Sequence, residues 1–142
     1  KVAPEHTEDA VLKMMRKPSF QLFEKFKTTF DEVNKKYGLR EQIIPYFISS
    51  HPNCRPQDMR KLEQQLRSMH LMPEQVQDFT PTPMTLSTVM FYTGVNPYTM
   101  EPVFSAKSKA EKDEQKSFFF WYKPKEQYKK QPWTKNSPRK KC

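Results

Sequence analysis

Glycine is scarce in this 142-residue chain: there are two, where average usage of about 7% would give roughly ten. That scarcity excludes the Gly-rich phosphate loops and the Gly-x-Ser-x-Gly nucleophile elbow, which need backbone conformations and close approaches that only glycine supplies. Turns must instead lean on 13 prolines and on Asn and Ser. Cysteine is equally sparse. Cys54 and Cys142 are too few for a disulfide framework, form no CxxC pair and lack the local spacing of a zinc motif. Reduced thiols fit a cytoplasmic protein. No apolar run approaches the ~20 residues of a membrane span, no signal peptide is recognisable, and no segment repeats at a fixed period. The chain opens KVAPEH, without an initiator Met and already strand-like. Together with the missing glycines, this is what a piece of a larger protein would look like.

The net charge of +9 is unevenly placed: Lys123–Cys142 holds eight Lys or Arg against one acid, so +7 lies in the tail and +2 in all that precedes it. The tail has no apolar periodicity and three prolines, and is predicted to be disordered. It offers phosphate attraction to RNA, DNA or anionic lipid, and Tyr122, Tyr128 and Trp133 interleave with its lysines as stacking platforms would. The more ordinary reading is a solvated tail.

The rest alternates strand and helix. Val2–Pro4 reads as a strand end, and Thr7 as the cap of a short helix bearing Val11, Leu12, Met14 and Met15. Ser19 caps a second helix, whose Phe23, Phe26, Phe30, Val33 and Tyr37 recur at steps of three and four, the pattern of a core-facing stripe; Gly38 stops it. Gln42–Ile48 is predicted as a strand apolar on both faces, as in a covered parallel sheet, with Pro45 demanding a bulge or an edge. Pro56 suits a first helical position, and the helix that follows carries Met59, Leu62, Leu66 and Met69 on one face. Val76–Phe79 is a third strand. Pro83 opens a short helix with Leu86, Val89 and Met90 inward, stopped by Gly94. Val103–Ala106 is the candidate fourth strand, and Ser108 caps a charged helix running into the aromatic cluster Phe118–Tyr122. This order predicts an α/β fold with three to four parallel strands and right-handed crossover helices.

In such a sheet the carboxyl ends of the strands share one face, where ligands bind. The first strand runs into Glu5, His6 and Thr7, the second into Ser49, Ser50 and His51, and the third into Asp78 and Thr80. Singly, each has an ordinary explanation: a hydrogen-bonded loop histidine for His6 or His51, a turn former for Asp78, a small apolar filler for Cys54. Their convergence on one edge is the stronger signal. No set of residues is predicted to hold a metal.

The stretches KVAPEHTEDAVLKMMRKPSF, IPYFISSHPNC and QVQDFTPTPMTLSTVMFYTG, with the following EPVF, closely resemble the YgiQ-type family of radical S-adenosylmethionine proteins, from Lys1 to about Pro124. A weaker similarity reaches the tRNA methylthiotransferases, through Val11, Leu12, Met15 and Lys17, with Arg16 displaced by one position. The resemblance implies a partial (β/α) barrel: residues 1–106 as the second half of the radical domain, 107–122 as a helix of a C-terminal extension, and 123–142 as the basic tail. It also implies an enzyme as the full-length protein. In such enzymes three cysteines hold a [4Fe–4S] cluster, S-adenosylmethionine chelates its free iron, and one-electron cleavage yields a 5′-deoxyadenosyl radical. This chain has no such triad, so the cluster is expected in the upstream half of the same polypeptide and the fragment is expected to be inactive alone. The cofactor contacts implied for this half are Glu5 and His6 to ribose or substrate, Arg16 to the methionine carboxylate, Ser49, Ser50 and His51 around adenosine, and Asp78 and Thr80 near adenine or substrate. The substrate is not implied. The competing reading, of another class, is a non-catalytic module whose basic tail contacts RNA or another partner; neither reading calls for a membrane.

Overall fold

The structure, a computed structural model, describes residues 1–123. The disorder predicted for the tail, the interleaved Tyr128 and Trp133, and the nucleic-acid contact drawn from them lie outside those residues. The elements in chain order are β1 (Val2–Glu5), α1 (Asp9–Met14), α2 (Phe20–Tyr37), β2 (Pro45–Ser49), α3 (Pro56–Ser68), β3 (Gln75–Asp78), α4 (Leu86–Thr93), α5 (Lys109–Ser117) and a 3₁₀ turn, Phe118–Phe120. The three strands form one parallel sheet in the order β1-β2-β3. Parallel neighbours in sequential order require a crossover after each strand, and α1 with α2, then α3, supply them.

Pro45 is accommodated by its place in β2. It is the first residue of the strand, and pairing with β3 begins one residue later, at Tyr46 and Gln75. The missing N–H therefore removes nothing from that ladder. On the other side the register shifts between Val2↔Pro45 and Glu5↔Phe47, so three steps along β1 match two along β2. This bulge lies just before Glu5, whose φ of 67° turns the chain out of the strand.

Alternation along β2 divides the sheet into two faces. Pro45, Phe47 and Ser49 are buried beneath the helices, while Tyr46 and Ile48 are only half-buried on the opposite face. The core beneath the helices joins Val11 and Leu12 of α1, Phe20 and Phe23 of α2, Phe47, Met59, Leu62 and Leu66 of α3, and Phe119. Phe119 stacks against Phe47 at 5.5 Å between ring centroids, so the aromatic cluster after α5 is part of the same core. The capping box at Ser108, whose hydroxyl accepts from the Glu111 N–H while Glu111 accepts from the Ser108 N–H, starts α5 in register for that packing.

Several sequence expectations are corrected. Val103–Ala106 is not a strand; an isolated antiparallel bridge, Val95↔Pro102, precedes it, the Val103 N–H donates to the Gly94 carbonyl and the Phe104 carbonyl accepts from the Asn53 N–H, but these bonds join no ladder. The sheet thus has three strands among the described residues. Both faces of β2 were expected to be covered, yet one lies half-open. The α2 stripe is buried only at Phe20 and Phe23; Phe26, Val33 and Tyr37 are exposed, because α2 runs on for three turns beyond the sheet-facing end. Glu8, not Thr7, is the cap residue of α1; it makes no side-chain cap bond, and its own N–H donates to His6 Nδ1. The helix expected from Pro83 begins at Leu86 under a Thr85 cap, and its Val89 faces outward.

Candidate functional site

The strand ends do meet at one edge. An open cleft of about 310 Å³ lies there, lined by Glu5, Met15, Lys17, Ile48, His51, Gln77, Asp78, Phe79, Thr80, Thr82, Thr85 and Ser87. A larger hollow of about 390 Å³ lies between β1 and α2, but its walls are mostly apolar and include Val2, Pro4, Phe20, Leu22 and Phe26. The smaller cleft is the candidate site because residues from all three strand ends reach it.

Of the residues singled out in the sequence, Glu5, His51, Asp78 and Thr80 line the cleft. Glu5 is 8% exposed, and its Oε1 pairs with Lys17 Nζ at 3.3 Å. Its Oε2 is buried with no hydrogen-bond partner among the described residues. A buried carboxylate oxygen left unpaired costs the full desolvation of that group, which a bound donor would recover. The strained φ of Glu5 adds to the cost, and strain at a strand end is characteristic of sites that hold a ligand.

His51 is 3% exposed and doubly held. The Pro52 carbonyl, 2.8 Å from Nδ1, can only accept, so the proton lies on Nδ1; Nε2 then accepts from the Ser87 hydroxyl at 2.8 Å. Burial lowers its pKa to about 4, against an upward pull from the bond to Pro52. Phe79 meets the ring edge-on, with centroids 5.2 Å apart. The imidazole is therefore neutral and fixed, a poor base at neutral pH and a well-defined wall.

The other candidates lie behind or beside the cleft. His6 is fully buried; its Nδ1 accepts the Glu8 N–H at 3.0 Å, so Nε2 carries the proton and faces Cys54 Sγ at 3.4 Å. Burial first, and the nearby His51 second, lower its pKa to about 3. The Cys54 thiol in turn donates to Met59 Sδ at 3.3 Å, and burial, with smaller contributions from Asp58 and Glu8, raises its pKa far above the ordinary thiol value. His6 thus braces the strand end from the core and does not reach the cleft. Ser49 donates to Asp78 Oδ1 at 2.6 Å, and Lys116 donates to Asp78 Oδ2 at 3.1 Å, which joins the ends of β2 and β3 on the helix-covered side. Ser50 is buried at φ 61°, and its hydroxyl has no partner among the described residues. Arg16 points elsewhere: its guanidinium donates to the Tyr98 hydroxyl and lies over that ring at 5.2 Å.

Arg16, expected at the methionine carboxylate, is not among the residues that line the cleft; Lys17, one residue further along the chain, lines it and pairs with Glu5. Ile48 and Gln77 were also overlooked, although strand alternation places both on the uncovered face, where Tyr46 donates to Gln77 Oε1 at 3.0 Å. Ser87 carries no motif that would mark it. Among the described residues no group of three or more His, Cys, Asp or Glu could hold a metal ion. No helix among them is long and apolar enough to cross a membrane.

Comparison with known proteins gives a family model described as a domain of unknown function (DUF3362), matching residues 74–130. The chain is 60% identical over 126 residues to a UPF0313 protein of Bacteroides thetaiotaomicron, covering 89% of this chain and 20% of that protein. It is 55% identical over 126 residues to a UPF0313 protein of Porphyromonas gingivalis, again 89% of this chain and 20% of that protein. A UPF0313 protein of Methanocella arvoryzae is 51% identical over 112 residues, 79% of this chain and 19% of that protein. The chain thus spans about a fifth of the length of the curated relatives it matches. No solved structure matches it.

Proposed function

We propose that this chain is a segment of a radical S-adenosylmethionine enzyme of the UPF0313, YgiQ-type kind, and that its strand ends form one wall of the S-adenosylmethionine site. On this proposal the three strands are a part of a longer (β/α) barrel, the remainder of the polypeptide supplies the [4Fe–4S] cluster, and the substrate is a separate molecule bound over the same edge. The observation that carries the reading is the buried Glu5 Oε2, without a partner among the described residues, at a strained strand end in a cleft lined from all three strands. High identity to UPF0313 proteins supports the family.

The residues present fit S-adenosylmethionine and do not fit the cluster. Glu5 Oε2 is an acceptor without a donor among the described residues, and ribose hydroxyls are donors. Ile48 and Phe79 give the cleft apolar surface for a purine, and Thr80 and Thr82 give it hydroxyls to fix orientation. Cys54 is buried against Met59 and His6 and has no cysteine neighbour among the described residues, so no step is assigned to a cluster here. When bound with a reduced cluster, S-adenosylmethionine supplies a sulfur–carbon bond that one-electron cleavage opens. What this chain's residues do is bind and orient: Glu5 accepts from the cofactor, Lys17 neutralises Glu5, and His51, kept neutral, closes the wall without competing for protons.

The test is binding and cleavage of S-adenosylmethionine by the full-length protein carrying Glu5→Gln or His51→Asn. Loss of a charge-assisted hydrogen bond is worth about 1.5–3 kcal/mol, so Glu5→Gln should weaken cofactor binding by roughly tenfold or more. Parental binding and cleavage in both variants would overturn the assignment.

A further inference from the structure

The cleft depends on a residue from a different part of the chain. The turn after β2 carries two non-glycine residues at positive φ, Ser50 at 61° and Asn53 at 70°. Each conformation costs about 1–3 kcal/mol and persists only where the surroundings over-determine it. Within the turn the Cys54 N–H donates to the His51 carbonyl at 3.0 Å, and the Asn53 N–H is taken by the Phe104 carbonyl at 2.7 Å. Besides the side-chain bonds of His51 to Ser87 and of Cys54 to His6 and Met59, a further hold on the backbone comes from α5. Gln115, 1% exposed, accepts from the Ser50 N–H at 3.1 Å through Oε1 and donates to the Cys54 carbonyl at 2.8 Å through Nε2. One planar carboxamide therefore grips both ends of the turn that bears His51.

We propose that Gln115 is a positioning residue of the cleft, a two-point clamp by which α5 fixes the strained turn Ser50–Cys54 and so sets where His51 stands. This holds whatever the cleft binds. Two features separate it from mere filling of a buried space. Both amide ends are used on backbone groups of one turn, so their separation is fixed. The adjacent Lys116 docks the same helix by a different route, an ion pair to Asp78 in which both side chains are about a third exposed or more. Such a pair contributes little to stability and does not touch the turn. The charged groups that share the cleft with His51 are Glu5, Lys17 and Asp78, with Lys116 behind Asp78 and the neutral His6 behind the turn; replacing Gln115 leaves all of them in place.

The experiment is residue-resolved amide exchange on the full-length protein, with histidine C2–H exchange followed against pH. In Gln115→Met, which keeps the shape and removes both bonds, exchange at Ser50, whose N–H loses its acceptor, should rise by about tenfold, and exchange at Cys54, whose N–H stays on the His51 carbonyl, should rise as the turn opens. Exchange at Phe47 and Ile48 should stay at the parental rate, and the His51 midpoint should move upward from about 4 as the turn admits water. Lys116→Met should leave the turn's exchange unchanged. Gln115→Glu keeps the acceptor for the Ser50 N–H and loses the donor to the Cys54 carbonyl, so Ser50 should stay protected while the Cys54 N–H, held by the His51 carbonyl, exchanges faster as that end of the turn opens; this variant carries the test if Gln115→Met does not fold. Unchanged exchange in the turn, a rise shared equally by β2, or a stationary His51 midpoint would each overturn the proposal.

Discussion

His6 and His51 are both held neutral by burial, with pKa values lowered to about 3 and about 4 from an unfolded value near 6.5. The unfolded chain therefore binds protons that the folded one refuses. Stability from this source is fully present above pH 6.5 and is lost as pH falls, down to about 4 for His51 and about 3 for His6. At about 1.4 kcal/mol per pH unit per group, the loss by pH 4.5 amounts to several kcal/mol. Denaturant titrations from pH 7.5 to 4.5 should show it, and His6→Gln should reduce the slope. Cys54 belongs to the same buried chain of contacts. Its thiol should resist alkylation in the folded protein and react only at the unfolding rate, with mass spectrometry locating the label; Cys54→Ala should cost about 1–3 kcal/mol through the cavity it leaves. The gathering of Glu5, His51, Asp78 and Thr80 was legible in the sequence, because strand ends of a parallel sheet share an edge. Lys17 was not, since a one-residue offset at a helix end decides which side chain turns inward. Gln115 was also hidden, because its partners are backbone groups 61 and 65 residues away.

At the scale of elements, start and stop signals were the most readable feature. Ser19, Ser108, Pro56, Gly38 and Gly94 all stand where helices begin or end. Gly38 has φ 64°, and an added Cβ would meet nothing within 4 Å, so Gly38→Ala should cost about 1 kcal/mol through backbone conformation alone. A fall in thermal midpoint without any change in cofactor binding would show it. The misreadings have a common origin. Val103–Ala106 has the apolar residues of a strand, and α2 has the stripe of a buried helix, but tertiary partners decide whether such patterns are used. Among the described residues the first makes single backbone bonds to Gly94 and Asn53 and joins no ladder, and the apolar stripe of the second is buried only at its first turn. Phe119 shows the converse: the cluster after α5 read as an appended extension, yet it fills the space over Phe47. Phe119→Ala should destabilise by about 3–5 kcal/mol, measurable by denaturant unfolding.

Taken whole, the molecule is a short parallel sheet with helices on one face and an open, half-buried face on the other. Leu22, Phe26, Val33 and Tyr37 leave an apolar stripe exposed along α2. The 142-residue chain in isolation should therefore associate at micromolar concentration, and Leu22→Glu with Phe26→Lys should lower its mass by light scattering without lowering its unfolding midpoint. The bearing of the whole on function lies in the cleft. The most direct measurement is amide exchange of the full-length protein with and without S-adenosylmethionine. If these strand ends are a wall of the cofactor site, protection should concentrate at residues 5–7, 49–54 and 77–82 and be lost at the first of these in Glu5→Gln. Saturating S-adenosylmethionine that protects other regions and leaves all three strand ends unchanged would contradict it.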